Sequence, residues 1–169
     1  MPSAKKSVSR KTKLSNGPTT FMNDISFVLN IKTSNTVSQR GYLMNRFEKP
    51  DSVIQSISHT PIATYNTSRR ELEELSPTEL NKPGFWGDTM TMKSVCKDDS
   101  GAVIKRTMKK FKTLKKFFTI KQVVSNIVKF EMEDRPKTNW FGGIDAHHVF
   151  FEGLYRNSKT DTYSVNWGS

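Results

Sequence analysis

The chain has one cysteine, Cys96, among its 169 residues. A single thiol excludes an intrachain disulfide framework and any zinc site built on several cysteines. Its neighbours are apolar or strand-forming, so it reads as a small buried hydrophobe rather than a reactive thiol. No apolar run approaches the roughly 18 residues that a membrane-spanning helix needs. The N-terminus is basic but lacks an apolar segment, so it does not read as a signal peptide. Pro2 stands where myristoylation would need glycine. Asn66-Thr67-Ser68 matches a glycosylation sequon, which without a secretory signal is expected to be coincidental. These features fit a chain made and used in the cytosol or nucleus. Catalytic signatures are also missing: no P-loop, no GxGxxG, no HExxH and no supported Ser-His-Asp order. The chain is expected not to be an enzyme and to need no cofactor.

Metal chemistry has little to build on. The three histidines are His59, His147 and His148. Adjacent histidines in a strand point to opposite faces, so His147 and His148 are not expected to share a metal. Asp145 could join His147, but two ligands do not make a zinc site. Glu71, Glu73, Glu74 and Glu79 fall in a polar, loop-like segment and read as a solvated face. They could also meet the basic stripe of a neighbouring copy, which would suit self-association.

Acidic residues are missing from two segments in particular. Lys5, Lys6, Arg10, Lys11 and Lys13 give +5 within the first thirteen residues. Lys105, Arg106, Lys109, Lys110, Lys112, Lys115, Lys116 and Lys121 give +8 within seventeen. The net charge is +11, so everything else sums to −2. Ordinary exposed segments mix signs; a basic tail and a basic stripe on a balanced domain are the footprint of a polyanion binder. Lysine ammonium groups gather phosphates without reading bases. Phe111, Phe117 and Phe118 interleave with the lysines, as stacking platforms for single-stranded bases do, but their spacing fits core packing better. Phe85-Trp86 and Trp140-Phe141 sit beside glycines and read as aromatics covering the open end of a core, with a partner or membrane anchor as the alternative.

The length suits one core and not two. Residues 1–20 are rich in Ser, Thr, Lys and Arg and are expected to form a disordered basic arm. A single α+β domain is expected over 21–169. Ile25, Phe27, Leu29 and Ile31 alternate with polar residues, predicting a half-buried strand. Tyr42–Phe47 reads as a helical turn or a strand. Pro50-Asp51-Ser52 resembles a helix start, with Val53, Ile54 and Ile57 at helical spacing. Ser76-Pro77-Thr78-Glu79 is a capping box that Lys82-Pro83-Gly84 stops after one turn. Thr89–Lys97 and Ala102–Thr107 predict a hairpin about the turn Asp98–Gly101. Met108, Phe111, Leu114 and Phe118 then suit a short basic amphipathic helix, with an extended form as the alternative. Gln122–Glu133 alternates and predicts a strand. His147–Arg156 and Thr162–Trp167 predict a closing hairpin, with Val149, Phe151 and Tyr155 sharing a face. The expected fold class is therefore β-rich α+β, a mixed or antiparallel sheet of about five or six strands with a few short helices.

This order is a lysine-rich arm, a strand over Ile25–Ile31, a short helix, a long strand over Phe117–Glu133 and a hairpin over His148–Trp167. It resembles the matrix proteins of rhabdoviruses, in particular the small ones of plant members. The resemblance spans about residues 1–35 and 105–169. It implies a virion structural protein that self-associates, condenses the nucleocapsid and contacts an anionic membrane surface, located in the virion and in the host cytoplasm or nucleus. The proline-rich budding motifs of animal members are missing. The family's long helix before the last hairpin has no counterpart in the pattern, where Trp140–Ala146 stands. The same features also look like a small jelly-roll capsid protein that packages its genome with a basic arm, a fold of about eight strands. A cellular RNA-binding module is the third possibility, although RNP-like and GXXG signatures are absent.

Overall fold

Alternation and turn chemistry decide most of the strands. A computed structural model describes residues 16–34, 53–97, 100–137 and 145–169. In chain order these form β1 (Gly17–Pro18), α1 (Thr20–Asp24), β2 (Ile25–Ser26), β3 (Leu29–Thr33), β4 (Ile54–His59), β5 (Ala63–Asn66) and β6 (Glu71–Glu74). There follow α2 (Pro77–Leu80), β7 (Pro83–Trp86), β8 (Thr89–Lys97), β9 (Val103–Lys112), β10 (Phe117–Thr119) and α3 (Ile120–Asp134). A 3-10 turn (Arg135–Lys137), β11 (Phe150–Asn157) and β12 (Thr162–Gly168) complete the fold. Among the described residues the twelve strands form four small sheets, ordered β1-β7-β10, β11-β12-β8-β9, β2-β5-β6 and β3-β4. The fold is β-rich α+β as expected, with more strands than the five or six predicted and no one continuous sheet. Tyr42–Phe47 and Trp140-Phe141 lie outside the described residues.

The segment from Ile25 alternates as predicted, with Ile25, Phe27 and Leu29 buried. Order begins earlier than Phe21, however. Gly17 and Pro18 pair with Trp86 and Phe85, and the Thr19 hydroxyl caps α1 by accepting from the Met22 N–H. Residues 16–20 thus belong to the fold rather than to an arm.

β4 and α3 both differ from the sequence reading. Ile54–His59 is a strand, not a helix. Its register against β3 shifts between Lys32 and Thr33, with Lys32 opposite Ser56 and Thr33 opposite Ile54. That bulge skips Gln55, so Ile54 and Ile57 are both buried three residues apart, a spacing that mimics a helix. Conversely, Gln122–Glu133 is not a strand but most of α3. Thr119 and Gln122 close a capping box at its start. Ile120, Val123, Val124, Ile127 and Phe130 then form a fully buried stripe at helical spacing.

That stripe is the centre of the core. It joins Met22, Phe27, Phe85, Met90 and Met92 in one apolar cluster. Each large side chain buried there contributes about 1.5–3 kcal/mol. Phe27 stacks on Phe151 with ring centroids 4.7 Å apart, and the Trp167 ring stands edge-on to both. The closing hairpin forms as predicted, but a bulge at Gly153 (φ 131°) changes its faces. Leu154 turns inward beside Phe151, and Tyr155 points to solvent instead of sharing their face. The capping box Ser76–Glu79 and the single turn of α2 are as read from the sequence. The hydrogen bonds from Ser76 lower the Glu79 pKa.

Candidate polyanion interface

The basic stripe is extended, not helical. β9 runs antiparallel to β8, with Lys105 opposite Cys96, Arg106 opposite Val95, Lys110 opposite Thr91 and Lys112 opposite Thr89. Strand alternation therefore splits the cations. Arg106, Lys110 and Lys112 share one exposed face with Met108. Lys105 and Lys109 share the other with buried Thr107 and half-buried Phe111. Lys109 is half-buried and pairs with Glu133 of α3. Lys115 and Lys116 lie exposed in the turn between β9 and β10, and Lys121 is exposed in the first turn of α3. Cys96 is half-buried on β8 rather than fully buried. Lys5, Lys6, Arg10, Lys11 and Lys13 lie outside the described residues.

β7 brings Gly17 and Pro18 beside the end of the lysine stripe. On one side it carries β1, with Gly17 opposite Trp86; on the other it carries β10, with Phe117 opposite Trp86. The chain following the basic N-terminal segment and the end of the basic stripe therefore meet at one residue, although they are far apart in sequence. Trp86 packs edge-on against Phe117, ring centroids 5.7 Å apart, and the Lys115 ammonium lies 5.9 Å from the Phe117 ring centroid. The Gly87 N–H donates to the Lys116 carbonyl at 2.9 Å, which fixes the turn. A cleft of about 360 Å³ opens here, lined by Asn16, Trp86, Gly87, Asp88 and Lys116. Asp88 is the acid of this cleft, and its carboxylate accepts from the Thr89 hydroxyl.

Leu114 departs from the sequence pattern. Its spacing from Phe111 and Phe118 places it on an apolar helix face, but it is fully exposed at the tip of the turn. Lys112, Lys115 and Lys116 flank it. The aromatics divide as well. Phe85 and Phe118 are core residues, Phe111 packs against the core, and Trp86 and Phe117 remain half-exposed at the cleft.

The other candidates fall into structural roles. Glu71–Glu74 form β6 rather than a loop; Glu73 pairs with Arg69 and accepts from the Asn66 amide. The Asn66 carbonyl oxygen is itself engaged, capping the N–H groups of Ser68 and Arg69. His147 and His148 precede β11 instead of lying in a strand, and their rings are 5.0 Å apart. Asp145 accepts from both their backbone N–H groups and from the His148 ring. No group of three potential metal ligands occurs among the described residues.

A second polar centre was invisible in the sequence. Arg135 is buried and donates to the Glu131 carboxylate at 2.5 Å and to the carbonyls of Asp145 and His148 at 2.6 Å. Its guanidinium also lies over the Trp167 ring, whose N–H donates to Glu131. Burial raises the Glu131 pKa although Arg135 opposes the shift. This network ties the end of α3 to the closing hairpin.

No protein family, curated protein or solved structure matches this chain.

Proposed function

We propose that this chain is a matrix-like viral structural protein, which self-associates and binds RNA or nucleocapsid and an anionic membrane surface through its basic segments. The observation that carries this reading is the convergence at Trp86. β7 places the end of the N-terminal segment and the end of the lysine stripe side by side. Lysines of the stripe are exposed on this side of the fold, and the N-terminal segment enters the fold beside them at Gly17. The fully exposed Leu114 among lysines suits a lipid headgroup layer, where cations meet phosphates and an apolar group can enter. The resemblance to rhabdovirus matrix proteins changes in two places. The long strand expected over Phe117–Glu133 is largely helix, α3, and the expected short helix over residues 50–57 is strand where it is described, β4. The jelly-roll alternative is not favoured: the strands divide among four small sheets and the core centres on a helix, where that fold needs two facing sheets.

The test is sedimentation with phosphatidylserine vesicles alongside gel shift on single-stranded RNA. It compares the wild-type chain with a variant in which Lys109, Lys110, Lys112, Lys115 and Lys116 are all glutamine. Wild-type binding to both ligands, weakened in the variant, is expected. A wild-type chain that binds neither overturns the reading.

A further inference from the structure

Among the terminal strands of the four sheets, two carry runs of one charge sign. β9 is the last strand of the four-stranded sheet and β6 the last of a three-stranded one. Open edges are templates for pairing with another chain, and charged residues are the usual means of blocking them. Here the two blocked edges carry opposite signs. β6 reads Glu71-Leu72-Glu73-Glu74, and β9 ends Lys109-Lys110-Phe111-Lys112.

Read antiparallel, these two tetrads are complementary at every position. With Glu71 opposite Lys112, Leu72 meets Phe111, Glu73 meets Lys110 and Glu74 meets Lys109. Residues directly opposite in a sheet share a face, so each pair is in reach of the other. Apolar surface is exposed beside both tetrads, on the Leu72 face of β6 and, on β9, on the Lys110 face opposite to Phe111. Leu72 and its cross-strand partner Tyr65 are 60% and 56% exposed, and Met108 on β9 is 68% exposed. The existing ion pairs of Glu73 with Arg69 and of Lys109 with Glu133 are partly exposed and can exchange.

We propose that the β6 edge of one copy adds as a strand to the β9 edge of a second copy of this chain. The inference rests on the self-association named under the proposed function and supplies its surface. Because the two edges differ, the contact is head-to-tail: the copy that gives its β6 keeps a free β9, and the copy that receives it keeps a free β6. Such an interface propagates into chains or sheets unless its rotation closes a ring. The lysines of β9 thus exclude like-charged edges and admit a carboxylate-bearing one.

The experiment is charge reversal with rescue, read by analytical ultracentrifugation and electron microscopy at low salt. One variant carries Glu71→Lys, Glu73→Lys and Glu74→Lys; the other carries Lys109→Glu, Lys110→Glu and Lys112→Glu. Circular dichroism verifies that each is folded, and Glu71→Gln with Glu74→Gln serves as a milder version of the first. Wild-type protein is expected to assemble, with assembly dissolving as salt rises. Each reversed variant alone should need on the order of a hundredfold higher concentration to assemble. An equimolar mixture of the two should recover assembly, because every β6–β9 contact between unlike variants is again complementary. A monomeric wild type, a variant that assembles normally alone, or a mixture of folded variants that does not recover would overturn the proposal. The Glu→Lys variant should still bind RNA. Loss of wild-type RNA and vesicle binding with assembly intact would refute the polyanion reading and leave the edge contact standing.

Discussion

Trp86 and Phe117 occupy facing positions on adjacent strands and pack edge-on at 5.7 Å. Gly17 faces Trp86 from the other side. A short central strand thereby sets where Gly17 and the end of the lysine stripe lie, and β7 is itself set by its passage over the start of α3. A Cβ added at Gly84 would lie 2.9 Å from the Ile120 Cα, a backbone atom that cannot step aside. Gly84→Ala should therefore destabilise the fold by about 1–3 kcal/mol, measured by urea unfolding. An unchanged midpoint would mean that β7 can move away from α3.

The N-terminal boundary gives a graded deletion test. Removing residues 1–15 should weaken polyanion binding and leave the melting temperature nearly unchanged. Extending the deletion through Thr19 also removes β1, the α1 cap and the bond from the Tyr163 hydroxyl to the Asn16 carbonyl. Loss of the cap alone costs about 1 kcal/mol, and thermal unfolding should register the longer deletion as a distinct drop.

Phe151 tests the closing hairpin. It stacks on Phe27 and meets Trp167 within the core. Phe151→Ala should cost about 3–5 kcal/mol of a total near 5–15, leaving a partly unfolded product at room temperature. Loss of near-ultraviolet dichroism would register it. A folded, soluble variant that fails to self-associate would move this hairpin from the core to an interface.

The polar centre makes a pH prediction. Burial alone would raise the Asp145 pKa, but the backbone N–H groups of His148 and His147, then Arg135 and the His148 ring, outweigh it and the net shift is downward. Its folded value lies below the unfolded one, so its stabilising contribution is present above the unfolded value and is lost as pH falls through the folded value. Asp145→Asn should lower stability at neutral pH and shrink the loss on acidification. Glu131 has the opposite sign. Burial raises its pKa, so its contribution is fullest below the unfolded value and is lost as pH rises through the folded one. Melting temperatures from about pH 3 to 7 separate the two.

How much of this was legible depended on whether local pattern and tertiary register agreed. The hairpins and the Ser76–Glu79 cap could be read because turn residues and alternation pointed the same way. α3 was missed because Val124, Val128, Phe130 and Met132 alternate, although Thr119 and Gln122 already spelled a capping box and Ile120, Val123, Val124 and Ile127 the helical stripe. β4 was missed because a bulge, a property of the pairing and not of the strand alone, gave it a period of three. The meeting at Trp86 depends on strand order, which no local pattern encodes. The lysines themselves could be named in advance, but which of them share a face could not.

The most direct measurement is the salt dependence of binding to single-stranded RNA. Each lysine that neutralises a phosphate contributes about 0.7 to the slope of log affinity against log salt. Replacing Lys110, Lys112, Lys115 and Lys116 with glutamine should flatten the slope by up to about 3, without loss of stability, since these side chains are exposed. Adding the deletion of residues 1–15 should flatten it further. A slope identical in wild type and both variants would contradict the account, because the gathered cations would then be a solvated face and not a binding surface.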